Sequence, residues 1–330
     1  MIRIGVLGVA SIAKRSVIPA IKALPELFVL TAVASRTLEK AIECAAQFQT
    51  KAFGSYEALI NSGDIDAIYI PLPNSMHYEW VKKSLEKNIH VLVEKSLACT
   101  ASEVEELVLL AQERNLVLLE NFQFRFHRQL DALLELVNSK AIGDLRVMRA
   151  SFGFPPFPDE GNIRYSNDLG GGALLDAAAY MMKISSLVLG TDIEVSSASL
   201  NFDLEKNLDT WGSGSIKHLS TPVTAQVAFG FDNFYQCGVE LWGSKGRLTT
   251  NRLFTARPDY VPEIILETQA GTELIKIEVD DHFKNVLKYF AELIANPTDE
   301  RIRSEYRANI LQANLLYTFK KIANELPVNE

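Results

Sequence analysis

Ile2-Arg3-Ile4-Gly5-Val6-Leu7-Gly8-Val9-Ala10-Ser11-Ile12-Ala13-Lys14-Arg15 is the stretch whose reading decides the fold. An apolar, β-branched run breaks at Gly8, and a helix-compatible segment begins at Ala10. This is the strand–turn–helix order of the unit that receives a dinucleotide pyrophosphate. Gly8 makes the tight turn, small Ala10 lets the backbone approach the phosphates, and small Ala13 lets the helix lie close on the strand. The helix start at Ser11 and Ile12 offers free N–H groups and a positive dipole end to the anion. Alanine replaces two of the three glycines of the usual fingerprint, so the stretch also fits a plain tight turn in any α/β protein. The residues downstream of it decide between the two.

The chain has 330 residues, too many for one ordinary core, so two domains are expected. A hydrophobic content of 48% with 22% charged residues suits a globular enzyme, and a net charge of −8 argues against a nucleic-acid partner. No apolar run is expected to reach the ~20 residues needed to span a bilayer, which excludes a membrane partner. The chain opens directly on a strand, so no signal peptide is expected. Cys44, Cys99 and Cys237 are odd in number and widely spaced, which gives neither a disulfide framework nor a metal site and points to a reducing cytoplasm.

Val29 to Ala34 reads as the second strand. The fold expects an acid after it, to hold the adenosine ribose hydroxyls. Here Ser35-Arg36 stand instead. An acid repels a 2′-phosphate, whereas serine and arginine donate to one, so the expected cofactor is NADP(H), with NAD(H) second. A solvated Arg36, or one stacked on adenine, is the alternative. Leu38 to Phe48 is an amphipathic helix. Ala67 to Ile70 is a buried strand ending in Pro71-Leu72-Pro73-Asn74, a rigid loop at a strand's carboxyl end where ligand-binding backbone is exposed. His77 stands near the start of a helix read as Tyr78 to Lys87. It is a cofactor-side candidate, although packing or capping is the commoner use of such a histidine.

His90 to Val93 is the next strand, closed by Glu94-Lys95-Ser96. A lysine there can hydrogen-bond a substrate oxygen and stabilise its negative charge during hydride transfer. A surface ion pair between Glu94 and Lys95 is the alternative. The helix Ala101 to Arg114, capped by Thr100 or Ser102, leads to a strand over Leu116 to Glu120. Asn121-Phe122-Gln123-Phe124-Arg125-Phe126-His127-Arg128 then alternates aromatic and basic residues. It reads as part ligand-facing ridge, with Arg125 a substrate candidate, and part core.

The Gly8 turn, the Glu94-Lys95 pair after His90-Val91-Leu92-Val93, and the Arg125-Phe126-His127 run occur in this order in one family. Across its whole length the chain resembles the glucose–fructose oxidoreductase and inositol dehydrogenase (Gfo/Idh/MocA) family. The resemblance implies an α/β chain with an N-terminal Rossmann dinucleotide-binding domain, residues 1–122. It also implies a C-terminal α+β domain with an open, mainly antiparallel sheet, residues 123–330, through which members form oligomers; a homodimer or homotetramer is expected. The final helices, read over Asp281 to Ala295 and Ser304 to Glu325, pack back on the body of the protein. The family's tripeptide is usually Glu-Lys-Pro; Ser96 departs from it while keeping the lysine.

In the second half, Leu145 to Phe154 alternates as a strand. Gly170-Gly171-Gly172-Ala173-Leu174-Leu175-Asp176 opens a helix, with three glycines suited to close approach of a ligand or the other domain. Asp176 and Tyr180 are four apart on one helix face. By spacing alone they read as a buried structural acid and a core aromatic. The resemblance reverses that: most members carry a proton-transferring histidine where Tyr180 stands, and tyrosine occurs there in the nucleotide-sugar ketoreductases and in the dihydrodiol and pentose dehydrogenases. Free tyrosine, with a pKa of about 10, is a good proton donor to a forming alkoxide. Carbonyl reduction is therefore the expected direction, with Tyr180 moving the proton, Lys95 stabilising the oxygen and Asp176 orienting the substrate or Lys95. Arg164, Tyr165 and Lys183 are substrate candidates, the first two in a loop expected to be solvent-exposed. Thr224 to Phe231 and Tyr235 to Leu241 read as antiparallel strands, the latter leading into a turn over Trp242 to Gly246. The functional expectation is an NADP(H)-dependent oxidoreductase acting on a sugar-like carbonyl or hydroxyl, foremost a nucleotide-activated keto-sugar. A dihydrodiol or pentose dehydrogenase is the runner-up. A cofactor-binding regulator without turnover is the alternative of another class.

Overall fold

The computed structural model describes residues 1–159 and 161–325. Two compact units emerge: Met1–Asn121 with Phe283–Ile310, and Phe122–His282 with Leu311 onward.

The first unit is built on a six-stranded parallel sheet: β1 (Ile2–Leu7), β2 (Phe28–Ala34), β3 (Lys51–Phe53), β4 (Ala67–Ile70), β5 (His90–Glu94) and β6 (Leu118–Asn121). Its strand order is β3-β2-β1-β4-β5-β6. β1 therefore pairs with β2 on one side and β4 on the other, and the chain's direction of winding reverses between β1 and β4. At such a switch point the loops leaving two neighbouring strands part, and open α/β sheets bind their ligands there. Ile4, Val6, Ile68, Ile70, Val91 and Val93 are fully buried, as expected of near-continuous apolar strands in a sheet covered on both faces. The covering helices are α1 (residues 11–22, with a π-helical turn at Ala13–Val17), α2 (Leu38–Phe48), α3 (Tyr56–Ile60), α4 (Asn74–Glu86) and α5 (Ala101–Glu113). α5 starts on a capping box, Thr100 with Glu103, which contributes about 1 kcal/mol.

The second unit holds an eight-stranded sheet in the order β14-β13-β12-β11-β7-β10-β9-β8. Its strands are β7 (Leu145–Gly153), β8 (Ile193–Asp203), β9 (Leu208–His218), β10 (Thr224–Gly230), β11 (Gln236–Gly243), β12 (Gly246–Asn251), β13 (Glu263–Thr268) and β14 (Gly271–Lys276). All neighbours are antiparallel except β7 with β10. The strands alternate buried and exposed positions, so one face packs on helices and the other stays open. α6 (Arg128–Asn138) and α7 (residues 173–189) cover the packed face. α7 begins with a π-helical turn at Leu174–Ala178 and continues as an α-helix over Ala179–Leu189.

The helical run Asn167–Leu189 is long and apolar enough to pass for a membrane span, contrary to the expectation that no stretch would be. Its apolar side chains are spent on the core instead: Ala173, Ala177, Met181 and Ile184 are fully buried. The last helices are α8 (His282–Ala295) and α9 (Glu300–Glu325). From the early part of α9, the Tyr306 hydroxyl donates to the Leu116 carbonyl and Asn309 Nδ2 to the Leu118 carbonyl, 3.3 Å, tying it to β6. Farther along, Gln312 Nε2 donates to the Ala179 carbonyl at 2.8 Å.

Candidate active site

At the end of β1, Gly8 has φ +120°, and a Cβ there would come within 2.8 Å of Leu72 Cδ2. Both the backbone conformation and the lack of room demand glycine. Its N–H donates to the Ala34 carbonyl at 2.9 Å, which fixes the turn against the end of β2. The Ala10 carbonyl accepts from the Lys14 N–H, so the N–H groups of Ser11, Ile12 and Ala13 precede the helical ladder. The Gly8 turn, the Pro71-Leu72-Pro73 loop, Ser35-Arg36, Glu94-Lys95 and Asn121 all lie at the carboxyl edge of one parallel sheet. This edge fits a dinucleotide: it has a cradle that a side chain would fill, and the buried Asn121 Oδ1 lacks a partner among the described residues.

Ser35 is buried and Arg36 exposed. Ser35 Oγ accepts from the Thr37 N–H at 3.3 Å, and the Arg36 guanidinium reaches the Tyr56 hydroxyl. Burial nonetheless pushes the Tyr56 phenol above its ordinary pKa, outweighing the guanidinium.

Glu94 is held by side chains of both neighbouring strands. Glu94 Oε1 accepts from the Tyr69 hydroxyl at 2.6 Å and from Asn121 Nδ2 at 2.7 Å. Burial raises the Glu94 carboxyl above the usual range, with the two hydrogen bonds and the Lys95 charge opposing it. Tyr69 and Asn121 come from the strands flanking β5, so only the strand order brings them to Glu94; a linear reading misses both. The Lys95–Ser96 peptide is cis, at the position where the family usually carries proline.

Helix α4 starts at Asn74, four residues before the predicted Tyr78. His77 therefore lies in its first turn, wholly buried, with Nδ1 2.7 Å from the Ser96 carbonyl and Nε2 2.8 Å from the Leu72 carbonyl. Both ring nitrogens are occupied and no surface is left for a cofactor, so the cofactor-side expectation for His77 does not hold. Burial pushes its pKa down to about 4, and the Lys95 charge adds to this.

A neutral ring donates to one carbonyl only. The unfolded chain, with an ordinary histidine pKa, takes up the proton first, so this contribution to stability is complete above about pH 6.5 and lost as pH falls toward 4. At pH 5 the loss is about 2 kcal/mol. The unfolding free energies of wild type and His77→Gln should accordingly converge by that amount between pH 7 and pH 5 in urea titrations. A gap independent of pH would mean that folding leaves the His77 pKa at its ordinary value, and a gap that widens toward pH 5 would mean that the folded ring is held charged.

In the second unit, Tyr180 is 7% exposed inside an aromatic box. Its ring centroid lies 4.9 Å from Phe152, 5.6 Å from Phe122 and Phe254, and 5.8 Å from Phe124. Phe122 and Phe124 of the aromatic–basic run are thus core, while Arg125 is half-buried with its guanidinium over the Phe126 ring at 5.2 Å. Asp176 accepts from Arg164 Nε at 2.5 Å. The Asp176 charge foremost, with smaller help from Tyr180 and Tyr165, holds the Arg164 guanidinium charged against its burial. Arg164 and Tyr165 are therefore engaged and half-buried rather than solvent-exposed as expected; the Tyr165 hydroxyl accepts from the Phe157 N–H at 2.8 Å.

The triple glycine has an internal purpose. A Cβ on Gly171 would lie 2.4 Å from the Arg164 carbonyl oxygen. One on Gly172, at φ +101°, would lie 2.6 Å from Asp209 Oδ1. Asp209 Oδ2 caps α7 by accepting from the Leu174 N–H at 2.5 Å. Close approach is needed, but to this chain's own backbone and carboxylate. Lys183 is 2% exposed with its ammonium over the Phe122 ring at 4.8 Å, a buried cation rather than a group presented to a ligand. Among the described residues no cluster of three or more His, Cys, Asp or Glu is placed to hold a metal ion.

The oxidoreductase family model with the NAD-binding Rossmann fold matches residues 2–122, and the GFO/IDH/MocA C-terminal domain matches residues 130–249. Over 329 residues the chain is 38% identical to a dTDP-3,4-didehydro-2,6-dideoxy-alpha-D-glucose 3-reductase of Streptomyces violaceoruber, covering 98% of this chain and 96% of that one. The chain belongs to the GFO/IDH/MocA family of oxidoreductases.

Within that family, the crystal structure of a 3-ketoreductase from Actinomadura kijaniata in complex with NADP and TDP-benzene matches with a TM-score of 0.93, at 36% identity over 97% of each chain. That ketoreductase has also been solved with one tyrosine changed to phenylalanine and with one lysine changed to alanine. A D-xylose 1-dehydrogenase (NADP(+)) of Haloferax volcanii is 29% identical over 309 residues, 93% of this chain and 94% of that one. The parallel first sheet and the mainly antiparallel second sheet are those the resemblance implied.

Proposed function

We propose that this GFO/IDH/MocA member is an NADPH-dependent ketoreductase of a nucleotide-activated keto-sugar. The observation that carries the reading is that the sequence keeps both Lys95 and Tyr180 in a chain similar over nearly its whole length to dTDP-keto-sugar 3-reductases. In this reading residues 1–122 hold the dinucleotide and residues 123–330 the sugar. The N–H groups of Ser11, Ile12 and Ala13 at the Gly8 turn take the pyrophosphate, Ser35 and Arg36 the 2′-phosphate, and the Pro71-Leu72 loop and Asn121 the nicotinamide end.

When bound, the dinucleotide supplies the hydride that the carbonyl carbon accepts. Tyr180 gives its hydroxyl proton to the carbonyl oxygen, and the product is the alcohol. Lys95 holds its ammonium toward that oxygen and stabilises the charge that develops there. Asp176, anchored by Arg164, orients the substrate.

The enzyme works in the cytoplasm as a homodimer or homotetramer. Supporting the oligomer, the open face of the second sheet carries exposed Trp211, Trp242 and Ile265, and an ion-pair chain runs from Arg149 through Glu240 and Arg247 to Glu267.

Monitoring NADPH absorbance with a dTDP-linked 3-keto-sugar, and NADP⁺ reduction with D-xylose or a trans-dihydrodiol, tests the reading. The keto-sugar should give the highest kcat/KM, by at least about 100-fold, because a site built to bind a nucleotide leaves its polar groups unpaired with a bare sugar. Faster oxidation of xylose or the dihydrodiol would transfer the assignment to those dehydrogenases. Tight NADPH binding with no turnover on any of them would make the chain a regulator.

A further inference from the structure

The Ser96 peptide, next to Lys95, is gripped from both sides by one helix turn. Asn74 Oδ1 accepts from the Ser96 N–H at 3.2 Å, and His77 Nδ1 lies 2.7 Å from the Ser96 carbonyl. The same imidazole reaches the Leu72 carbonyl at 2.8 Å, and the Leu72 side chain closes over Gly8. The first turn of α4 thus ties the β4 loop and the β5 loop together at the carboxyl edge of the sheet. His77 is completely buried, so it can act on chemistry only through the backbone it holds.

We infer that Asn74 and His77 are positioning residues for Lys95. They fix the backbone just after Lys95, and so aim its ammonium, rather than binding the dinucleotide. The inference rests on the role proposed for Lys95. A misplacement of about 1 Å at a reacting group can cost up to 100-fold in rate, so loosening this grip should be felt in turnover.

Asn74 is half-buried, and its substitution perturbs the fold less than that of His77. Asn74→Ala should lower kcat about tenfold and leave the KM for NADPH within about twofold. Asn74→Asp, which keeps an acceptor oxygen for the Ser96 N–H, should recover kcat to within about threefold of wild type. The decisive measurement is a double-mutant cycle with Lys95→Ala. If Asn74 acts by aiming Lys95, the double variant is no slower than Lys95→Ala alone. A full further tenfold loss in the double variant would overturn the inference, because the grip would then serve something other than Lys95. A raised KM for NADPH with kcat intact would also overturn it, in favour of cofactor binding. Should Asn74→Ala not yield folded protein, the same cycle is run with His77→Gln, which keeps one donor. Wild-type turnover in Lys95→Ala alone would instead remove the role of Lys95, an outcome distinct from additivity.

Discussion

Tyr180→Phe should lower turnover about a thousandfold while the KM for NADPH stays within about twofold of wild type. The substitution isolates the proton. Tyr180 is enclosed by Phe122, Phe124, Phe152 and Phe254, and phenylalanine fills the same space with the same ring contacts. The protein should therefore fold, and its melting temperature should move by a few degrees at most. What is lost is the only oxygen on that ring, and with it the proposed donor to the forming alkoxide. Lys95→Ala should give a loss of similar order, because an uncompensated negative charge on the substrate oxygen raises the same barrier. If both act on one oxygen, as proposed, the two losses should not add when combined. Steady-state kinetics with a keto-sugar and a fluorescence titration of NADPH measure all of this. Turnover within about threefold of wild type in Tyr180→Phe would end its role as proton donor.

The parts of this protein that are legible in sequence are those written in consecutive residues. The β1–Gly8–α1 unit, the amphipathic α2, and the strand that delivers Glu94-Lys95 each carry their signal in one short window, where apolar runs, glycine and capping residues act locally. Glu94 illustrates the limit. Its partners, Tyr69 and Asn121, sit on β4 and β6, and the distances of 25 and 27 residues collapse only because a parallel sheet puts both strands beside β5. The Arg164–Asp176 pair is hidden for a different reason. Arg164 lies in a short turn with no hydrophobic period, and the turn is seated by glycines whose tight contacts lie within this chain. His77 looks ordinary because a lone histidine has no pattern; its significance lies in two carbonyl groups contributed by separate loops. The β13–β14 hairpin escapes because β14 is exposed along most of its length and shows little alternation.

Arg36→Ala should reduce kcat/KM for NADPH about 30-fold and change that for NADH by less than about threefold. The size is that of one charge-assisted hydrogen bond to a phosphate. A dinucleotide fold that selects NADH places an acid at the end of β2 to bind the ribose hydroxyls, and a carboxylate there would repel a 2′-phosphate. Here the buried Ser35 follows that strand, and its hydroxyl oxygen accepts the Thr37 N–H, which shapes the loop. Arg36 projects from the loop as an exposed cation within reach of the Tyr56 hydroxyl. NADH has no phosphate for that cation to meet, so its binding should be nearly indifferent to the substitution. The reverse change, Arg36→Asp, should go further and invert the preference, because it replaces an attraction with a repulsion at the same point. Equal losses for the two cofactors in Arg36→Ala would show that the guanidinium serves the adenine ring or the loop rather than the phosphate, and the preference for NADPH would then have to come from Ser35 alone.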